Sequence, residues 1–425
     1  MNNDPLNSIW AQLTPRREPA QALKGAVTTE VAVIGGGLTG LSAAFHLAKS
    51  GRKVTLIEGQ RIGWGGSGRN NGQVIPTLAA MEPAAMEKRY GTYAEPFIHM
   101  VRDSASALFE FIKSNGLQCD AAQTGWFQPA HNAGYLKLSE ARVNAWQAHG
   151  APAELLNKAQ GDALLGSGHW HGGMLNRTGG HINPLKFTYE LAQLCENEGV
   201  QCYENTPASA IRRKGDRWRI TTPEGSITAD VLFLATNAYT GPLAPEIQRS
   251  MVPLLAYQLA SDPLSKAQRA KIISGQEAIS DTRGDLWYFR YTADHRLVTG
   301  AALLFRQGAK PRLQALLKHR LQSAFPSLAP LKFSHVWSGK VGITADFTPR
   351  FHELGPNYYA FTGYNGRGLA LTLSVGRAFA HKIAGESCAL PFEPPRPIPL
   401  HGLVRRVARS RLILTRLKDK RPPKV

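Results

Sequence analysis

One stretch near the N-terminus constrains the fold more than any other part of the chain. The apolar run EVAVI, residues 30–34, leads directly into GGGLTG at residues 35–40. Residues 41–48 then carry apolar side chains at helical spacing, and a second apolar run, residues 53–57, ends at Glu58. Short apolar runs of this kind are typical of buried parallel strands. The order strand, GxGxxG, helix, strand and acid predicts a dinucleotide-binding α/β unit.

Each part of this unit has a physical role. Gly35 allows the tight turn, Gly37 lets the backbone approach a pyrophosphate, and Gly40 lets the helix pack closely on the strand. The phosphates bind backbone N–H groups at the positive end of the helix, and Glu58 accepts hydrogen bonds from the ribose hydroxyls. We find no second such unit, because the apolar run at residues 231–236 is followed by NAY instead of glycines. One dinucleotide site therefore has to serve the chemistry.

A second glycine-rich motif lies near the C-terminus. Residues 358–372, YYAFTGYNGRGLALT, are interpreted as a strand, a glycine turn and the start of a helix. No acid follows at the distance expected for a ribose, so this motif is not a second dinucleotide fold. The N-terminus of a helix stabilises negative charge, and placed at the pyrimidine end of a flavin this one would favour the charge of the reduced ring.

The stretch GWGGSGRNNGQV, residues 63–74, leaves the sheet edge at which ligands of such folds bind. Its composition admits a linker, a basic nucleic-acid loop or a ligand cradle, and the two flanking motifs favour the cradle. We expect Ser67 to donate to a phosphate. Arg69, Asn70 and Gln73 are expected near the bound cofactor, where a positive charge would stabilise a reduced, anionic ring.

The net charge of +19 raises the question of nucleic-acid binding. Residues 391–425 form a basic tail, and from residue 403 onward it holds nine Lys and Arg against a single acid, Asp419. Leu403, Val407, Leu414 and Leu417 recur at helical spacing, which fits an amphipathic helix on an acidic membrane surface or, equally, a solvated helix. The tail has no interleaved aromatic side chains for base stacking, so no nucleic-acid partner is expected.

The rest of the composition favours a cytoplasmic protein. No apolar run reaches the roughly 20 residues that span a bilayer, and the first residues lack the pattern of a secretory signal. The four scattered cysteines are interpreted as reduced thiols. We expect a cytoplasmic location, with the basic tail as a route to peripheral contact with the inner face of the membrane.

The two glycine motifs, taken with WSGKVGITADFTPRF at residues 337–351, resemble the D-amino acid oxidase-like FAD-dependent oxidoreductases. RIGWGGSGRNNGQV is most similar to the γ-glutamylputrescine oxidoreductase branch, which ATNAY at residues 235–239 also fits. The resemblance implies an α/β fold, with a Rossmann-type FAD-binding domain and a discontinuous α+β substrate domain on a mixed β-sheet. The predicted FAD-binding domain comprises residues 24–80, 178–245 and 336–390, and the substrate domain residues 81–177 and 246–335.

The resemblance also implies residues on the substrate side. Arg290 stands in the strand-like run YFRY, where many relatives bind a substrate carboxylate, a task that suits a planar guanidinium. A structural salt bridge is the alternative role for this residue. Tyr257 and Trp287 are candidate walls for an apolar substrate stem, although aromatic residues on a sheet more often belong to the core.

The cofactor implied by the resemblance is FAD, bound without a covalent link. Its candidate ligands are Gly35, Gly36, Gly37, Leu38, Thr39, Gly40, Glu58, Gln60, Arg61, Gly66, Ser67, Arg69, Asn70, Gly72, Gln73, Ala208, Gly363, Asn365, Gly366, Arg367 and Gly368. Relatives attach flavin through a cysteine near residues 339–342 or a histidine in the 63–72 loop, and this chain has neither. His169, His171 and His181 lack a completing ligand and predict no metal site.

The chemistry implied is oxidation of the C–N bond of an amine or amino acid, of γ-glutamylputrescine-like, N-methyl or D-amino acid type. Hydride passes to flavin N5 and the imine is hydrolysed, and O2 or an electron carrier takes the electrons. Three alternatives stay open. They are a flavin-dependent tRNA-modifying oxidoreductase, a membrane-associated amine dehydrogenase that reduces a quinone, and a flavoprotein without enzymatic activity.

Overall fold

The computed structural model describes residues 7–285, 287–302, 307–328, 331–388, 390–408 and 419. Its strands are β1 (Gly25–Ile34), β2 (Val54–Ile57), β3 (Gln73–Val74), β4 (Trp126–Pro129), β5 (Ala153–Leu156), β6 (Gly173–Asn176), β7 (Gly180–His181), β8 (Gln201–Tyr203), β9 (Ala210–Lys214), β10 (Arg217–Thr221), β11 (Gly225–Leu234), β12 (Val252–Pro263), β13 (Ala278–Ser280), β14 (Tyr288–Tyr291), β15 (Arg296–Ala302), β16 (Phe333–Ile343), β17 (Arg350–Gly355), β18 (Tyr358–Thr362) and β19 (Phe392–Glu393). Its α-helices are α1 (Ile9–Leu13), α2 (Leu38–Lys49), α3 (Pro83–Tyr90), α4 (Ala94–Ser114), α5 (Ala133–Ala148), α6 (Lys158–Leu165), α7 (Pro184–Asn197), α8 (Pro245–Arg249), α9 (Lys266–Arg269), α10 (Ala309–Ala324), α11 (Leu371–Ile383) and α12 (His401–Val407).

The first sheet has a parallel centre, in which β8, β2, β1, β11 and β18 are neighbours in that order. β17 pairs antiparallel with β18 and carries β19 at the edge, while β10 and β9 extend antiparallel from β11. Ile34 pairs with both Ile57 and Leu234, so β1, β2 and β11 end at the same level. The segments that follow these three strands therefore meet at one edge of the sheet.

The second sheet is mixed and runs in the order β16, β12, β15, β14, β13, β4, β6, β5. Its neighbours are antiparallel except for β13 and β4, which are parallel. A short ladder between β3 and β7 lies outside both sheets. The prediction of a Rossmann-type unit combined with a domain on a mixed sheet is thus confirmed.

Two strands correct the predicted domain boundaries. β16 begins at Phe333 and pairs with β12 up to Ile343, so it belongs to the second sheet and the predicted boundary at residue 336 is wrong there. The first sheet resumes only at Arg350. At the other end, β19 pairs with β17 inside the segment that was assigned to the basic tail. Backbone pairing with strands distant in sequence determines both domain boundaries, and local composition does not reveal such pairing.

Helices cover the first sheet and close its core. α2 packs against α7 and α11, and α11 also packs against α4. Phe233 of β11 stacks on Phe379 of α11, with ring centroids 4.1 Å apart, and both rings are buried. A second buried cluster surrounds Trp170 and Phe289 beneath the mixed sheet. The two cores hold the sheets that border the site described below.

The basic tail is described only in its first part. α12 ends at Val407, and Leu403 and Val407 are exposed. Leu414 and Leu417 lie outside the described residues, so an apolar face along the whole tail stays a prediction. Over the helices of the described residues, none combines the length and the apolar character that a membrane crossing requires.

Candidate functional site

A cavity of about 700 Å³ lies at the edge where β1, β2 and β11 end. Both sheets contribute to its wall, because β16 of the mixed sheet supplies Lys340, Val341 and Gly342. Of the predicted FAD ligands, those that line it are Gly35, Gly37, Leu38, Thr39, Glu58, Gln60, Gly66, Ser67, Asn70, Gln73, Ala208, Gly366 and Gly368. A cavity of this size is within the usual range for a buried small-molecule or cofactor site.

The first glycine motif forms one wall through its backbone. Gly35 has φ +118°, a conformation that side chains rarely adopt, and it turns the chain from β1 toward α2. A Cβ on Gly40 would lie 2.1 Å from the Gly35 carbonyl oxygen, so helix and turn are packed too closely for any side chain. Ser67 Oγ accepts a hydrogen bond from Leu38 N–H at 2.9 Å. Ser67 thus ties the cradle to the N-terminus of α2.

Glu58 holds the turn from the other side. Its Oε2 accepts from Gly36 N–H at 2.8 Å, and its Oε1 accepts from Gln60 N–H at 2.9 Å. Burial raises the pKa of the Glu58 carboxyl, and the N–H donors of Gln60 and Gly36 oppose that shift. The carboxylate borders the cavity beside the glycine turn. This is the arrangement that accepts hydroxyl donors from an adenosine ribose.

The two glycine motifs meet inside the cavity. Thr39 Oγ1 and Tyr364 Oη share a hydrogen bond of 2.6 Å across 325 residues of sequence, and both side chains line the wall. Asn365 Oδ1 accepts from Thr344 N–H at 2.9 Å, and its Nδ2 donates to the Gly363 carbonyl at 2.6 Å. These bonds hold the turn before α11 in place. Gly366 and Gly368 of the same turn face the cavity.

Hydrogen bonds from its own amide side chains hold the cradle, residues 63–74, in one conformation. Asn70 Nδ2 donates to the Ser67 carbonyl at 2.8 Å, while Asn70 Oδ1 accepts from Gly72 N–H at 2.8 Å. Asn71 Oδ1 accepts from Gln73 N–H at 2.8 Å. Gln73 Nε2 reaches across to the Ile279 carbonyl of β13 at 2.8 Å. The glycines and asparagines of this stretch therefore build a fixed loop, and a linker is excluded.

An aromatic and cationic corner completes the wall. Trp64 and Tyr239 meet edge to face, with centroids 5.6 Å apart, and the Lys340 Nζ lies 5.0 Å from the centre of the Tyr239 ring. Tyr239 Oη also accepts from Lys340 N–H at 3.0 Å. Among the described residues that line the cavity, Lys340 is the one Lys, Arg or His. A positive charge therefore stands at this corner.

Several predicted FAD ligands do not line the cavity but contact the residues that do. Gly36 donates to Glu58 and Gly40 packs against Gly35, as described above. Arg61 donates to the Arg17 carbonyl at 2.7 Å. Gly72, Gly363 and Asn365 shape turns but do not border the cavity. These residues support the site through turns and hydrogen bonds within the protein, which the spacing of the motifs could not distinguish from direct contact with a ligand.

The predicted positions of two arginines beside the cofactor are corrected. Arg69 was expected near the flavin, but its Nε donates to the Trp64 carbonyl at 2.7 Å and its guanidinium lies 5.0 Å from the Trp64 ring centre. The half-buried Arg367 has its guanidinium 5.1 Å from the Trp126 ring centre and donates to Thr77 Oγ1 at 2.6 Å. Neither side chain lines the cavity. A neighbour in the same loop holds the Arg69 guanidinium, and partners distant in sequence hold that of Arg367.

Arg290 also departs from its predicted role. Its guanidinium is buried and donates to three carbonyl oxygens, those of Asn71 at 2.6 Å, Tyr291 at 2.7 Å and Ile182 at 2.8 Å. Burial lowers its pKa to about 9. The side chain does not line the cavity, so its position does not support binding of a substrate carboxylate. The side chain supports the cradle from behind. Within the described residues no carboxylate pairs with Arg290, so the alternative role in a salt bridge is not observed either.

The two aromatic candidates belong to the core. Trp287 stacks on Trp170 with centroids 5.4 Å apart, and it is 1% exposed. Tyr257 is 2% exposed within the same cluster. Neither lines the cavity, so both predictions as substrate walls are corrected. Tyr257 of β12 and Trp287, which directly precedes β14, are packed in one apolar cluster, which strand alternation alone could not decide.

Sequence reasoning missed several wall residues. Trp64 and Asn71 stood in the quoted cradle without a role, and Tyr364 stood in the second motif. The segment from Thr236 to Leu243 was missed because no glycine motif marks it. It follows β11, a parallel strand beside β1, and the rule that ligands bind at the carboxyl edge would have pointed to it.

The donors, turns and volume of the cavity fit FAD, and comparisons with known proteins agree. The family model described as FAD dependent oxidoreductase, abbreviated DAO, matches residues 30–382. Gamma-glutamylputrescine oxidoreductase of Escherichia coli is 29% identical over 90% of this chain and 89% of its own length. Probable oxidoreductase OrdL of Rhizobium meliloti is 30% identical over 92% of this chain and 91% of its own length.

Solved structures share the fold. L-proline dehydrogenase from P. horikoshii superimposes with a TM-score of 0.71 at 19% identity, over 87% of this chain and 95% of that one. Glycine oxidase from Geobacillus kaustophilus gives 0.71 at 18% identity, over 86% and 97%. The predicted resemblance is confirmed. The relatives are named oxidoreductases, so the prediction of an enzyme holds and the alternative of a flavoprotein without activity is dropped. The chain belongs to the DAO family of FAD-dependent oxidoreductases.

Proposed function

We propose that this enzyme oxidises the C–N bond of a small amine or amino acid. Candidate substrates are γ-glutamylputrescine-like amines, N-methyl amino acids and D-amino acids. The names of its relatives support this range, since they include gamma-glutamylputrescine oxidoreductase, D-amino acid dehydrogenase and, by fold, glycine oxidase. The single observation that carries the proposal is a cavity that both sheets wall and that the glycine turn and Glu58 of the dinucleotide-binding unit border.

FAD supplies the hydride acceptor when it is bound, and the substrate loses a hydride from the carbon beside nitrogen. The protein holds the substrate, excludes water and favours the neutral amine, because desolvation lowers the pKa of a buried ammonium group. Water then hydrolyses the imine outside the redox step. No general base is assigned, since the removal of a hydride from a neutral amine requires none.

The substrate contacts follow from the composition of the wall. Trp64 and Tyr239 offer apolar faces to a carbon chain, and Lys340 offers a charge to an acidic group. A substrate that carries a carboxylate away from its reacting nitrogen fits this combination. We assign FAD as non-covalently bound, because residues 339–342 hold no cysteine and Asn70 occupies the nearest loop position.

Three further properties belong to the proposal. The electrons pass to O2 or to a carrier, which includes a quinone. The location is cytoplasmic, with peripheral membrane contact through the basic tail. The mechanism does not require nucleic acid.

An anaerobic screen tests the function directly. Purified holoenzyme would be mixed with polyamines, glutamylated amines, N-methyl amino acids and D-amino acids while the flavin absorbance is followed. We expect at least one class to bleach the flavin, and readmission of air or of a quinone analogue should identify the acceptor. Failure of every amine and amino acid would reject the proposal. Yellow colour that stays in an acid-precipitated pellet would reject non-covalent binding.

A further inference from the structure

Three consecutive carbonyl groups of the cradle are each held by a side chain from another part of the chain. The Arg69 carbonyl accepts from Trp337 Nε1 at 2.9 Å and from Gln258 Nε2 at 2.7 Å. The Asn70 carbonyl accepts from Trp10 Nε1 at 2.8 Å. The Asn71 carbonyl accepts from Arg290 Nε at 2.6 Å. Three successive peptide planes are thus oriented from behind the loop.

The N–H groups on the opposite edges of these three peptide planes differ in whether they have a hydrogen-bond partner. C=O and N–H of a trans peptide point in opposite directions, so a held carbonyl also fixes the next N–H. Asn70 N–H donates to the Gly66 carbonyl, and Gly72 N–H donates to Asn70 Oδ1. Within the described residues, Asn71 N–H makes no hydrogen bond. It follows the carbonyl that Trp10 holds.

Asn71 N–H therefore points away from Trp10. Asn70 and Asn71, the two residues that this peptide joins, border the cavity, whereas Trp10 does not. Asn71 is half-buried, and an N–H group at the wall of a site that makes no hydrogen bond within the protein can donate to a bound ligand. The geometry supplies a donor for an acceptor atom of whatever lies in the cradle.

Trp10 itself is firmly placed. It lies in α1, is 1% exposed, meets the Trp337 ring edge to face at 5.9 Å and has the Arg290 guanidinium 4.6 Å from its ring centre. Ser8 caps this short helix by accepting from Ala11 N–H, and Ile9, Trp10 and Leu185 belong to one buried cluster. Trp10 precedes residues 30–382, so it lies outside the part that the family model matches.

We propose that Trp10 is a positioning residue of the FAD site, whose indole N–H sets the peptide between Asn70 and Asn71 so that Asn71 N–H donates to the flavin ring. A donor aimed at the ring stabilises the negative charge that develops on reduction. The N-terminal segment thereby contributes to the redox properties of the enzyme. This inference depends on the cofactor and not on the identity of the substrate.

The test replaces Trp10 by phenylalanine, which keeps an aromatic ring and removes the indole donor. Trp218→Phe is the matched control, because the Trp218 indole is also buried and donates to a backbone carbonyl, that of Pro356, at 2.9 Å, away from the cavity wall. Three quantities are measured on each protein. They are the Kd of the apoprotein for FAD, the midpoint potential of the bound flavin and the hydrogen exchange of peptides that cover residues 69–73.

We expect Trp10→Phe to raise the Kd for FAD about threefold to tenfold, the factor that corresponds to one hydrogen bond. The midpoint potential should fall, and exchange at residues 69–73 should become faster. Trp218→Phe should lose similar thermal stability and leave these three quantities at their wild-type values. Wild-type Kd, potential and exchange in Trp10→Phe would overturn the proposal and leave Trp10 a packing role.

Two further measurements keep the inference testable if Trp10→Phe does not fold. In Trp337→Phe, the Arg69 carbonyl keeps its bond from Gln258, so the potential should change little. A clear fall of the potential in Trp337→Phe would indicate a general packing effect and reject the specific role of Trp10. In the wild-type protein, FAD should slow the exchange of Asn71 N–H, and unchanged exchange would also reject it.

Discussion

The two ends of the cavity are built in different ways. At the glycine-motif end, Glu58 accepts from Gly36 N–H across 22 residues, and both groups lie within one strand–helix–strand unit. At the cradle end, the supporting bonds cross 60 residues from Trp10, 219 from Arg290 and 268 from Trp337. Local backbone geometry builds the first end, and distant side chains build the second.

The difference explains which predictions held. At the glycine-motif end, glycines are required because there is no room for a side chain, and this requirement can be recognised from residues that are close in sequence. Side chains act at the second end through contacts that only the folded chain creates. We therefore expect substitutions at the first end to remove FAD binding, and substitutions at the second end to change stability and the properties of bound flavin.

The largest effect should come from Gly40→Val. A Cβ there meets the Gly35 carbonyl oxygen at 2.1 Å, which the backbone cannot relieve without moving the turn. We expect FAD affinity to fall at least 100-fold or the protein to remain colourless, as measured by flavin absorbance after purification. Gly402→Ala is the control, since a Cβ at this helical glycine meets nothing within 4 Å. Yellow Gly40→Val protein with normal affinity would refute the close packing.

Arg290→Met tests the second end. The variant leaves three buried carbonyls without their donor, and we expect a loss of about 3 kcal/mol in the free energy of unfolding. The preference for carboxylated over neutral amines, as the ratio of their kcat/KM values, should change less than about threefold because the guanidinium does not line the cavity. Arg52→Met removes an exposed arginine and serves as the control. A collapse of the preference at unchanged stability would restore the role as substrate anchor.

Glu58→Ala measures how far the first end depends on one side chain. Loss of the acceptor frees the Gly36 and Gln60 N–H groups and removes the ribose contact, so we expect FAD affinity to fall about 10-fold to 100-fold. Fluorescence titration of the apoprotein provides the value. Glu30→Ala, at an exposed ion pair with Arg52, is the control. Equal affinities in the two variants would mean that the ribose lies elsewhere.

The smallest effect is a dependence on pH at the second end. Burial lowers the pKa of His181 to about 3, and its strand β7 pairs with the cradle strand β3. The unfolded chain binds a proton near pH 6.5 and the folded chain does not, so stability falls as the pH decreases from 6.5 toward 3. At pH 5 the loss from this group is about 2 kcal/mol.

His181→Gln should remove this part of the acid sensitivity, which chemical denaturation at pH 8 and pH 5 would detect. The exposed His319, replaced in the same way, should leave the difference between the two pH values unchanged. A wild-type difference in His181→Gln would show that the acid sensitivity arises elsewhere. His352 of β17 is the next group to test, since burial also lowers its pKa to about 3.

The sequence alone predicted the class of fold, the FAD motif and the part of the cradle that lines the cavity. Those features follow from glycine positions, apolar runs and one acid within short stretches, where backbone geometry leaves few alternatives. Arg69, Arg290 and Arg367 show the limit. A guanidinium reaches several partners, and its sequence neighbours do not indicate whether a carbonyl, an aromatic ring or a ligand receives it.

What the sequence determined, then, is the nucleotide-binding unit around Gly35, Gly40 and Glu58, because its contacts are local and steric. Tertiary structure alone decided that β16 belongs to the mixed sheet, that Tyr364 joins Thr39, and that Trp10 holds the cradle. Each of these contacts joins residues far apart in the chain. Their formation depends on how both sheets pack, and that packing is a property of the whole molecule.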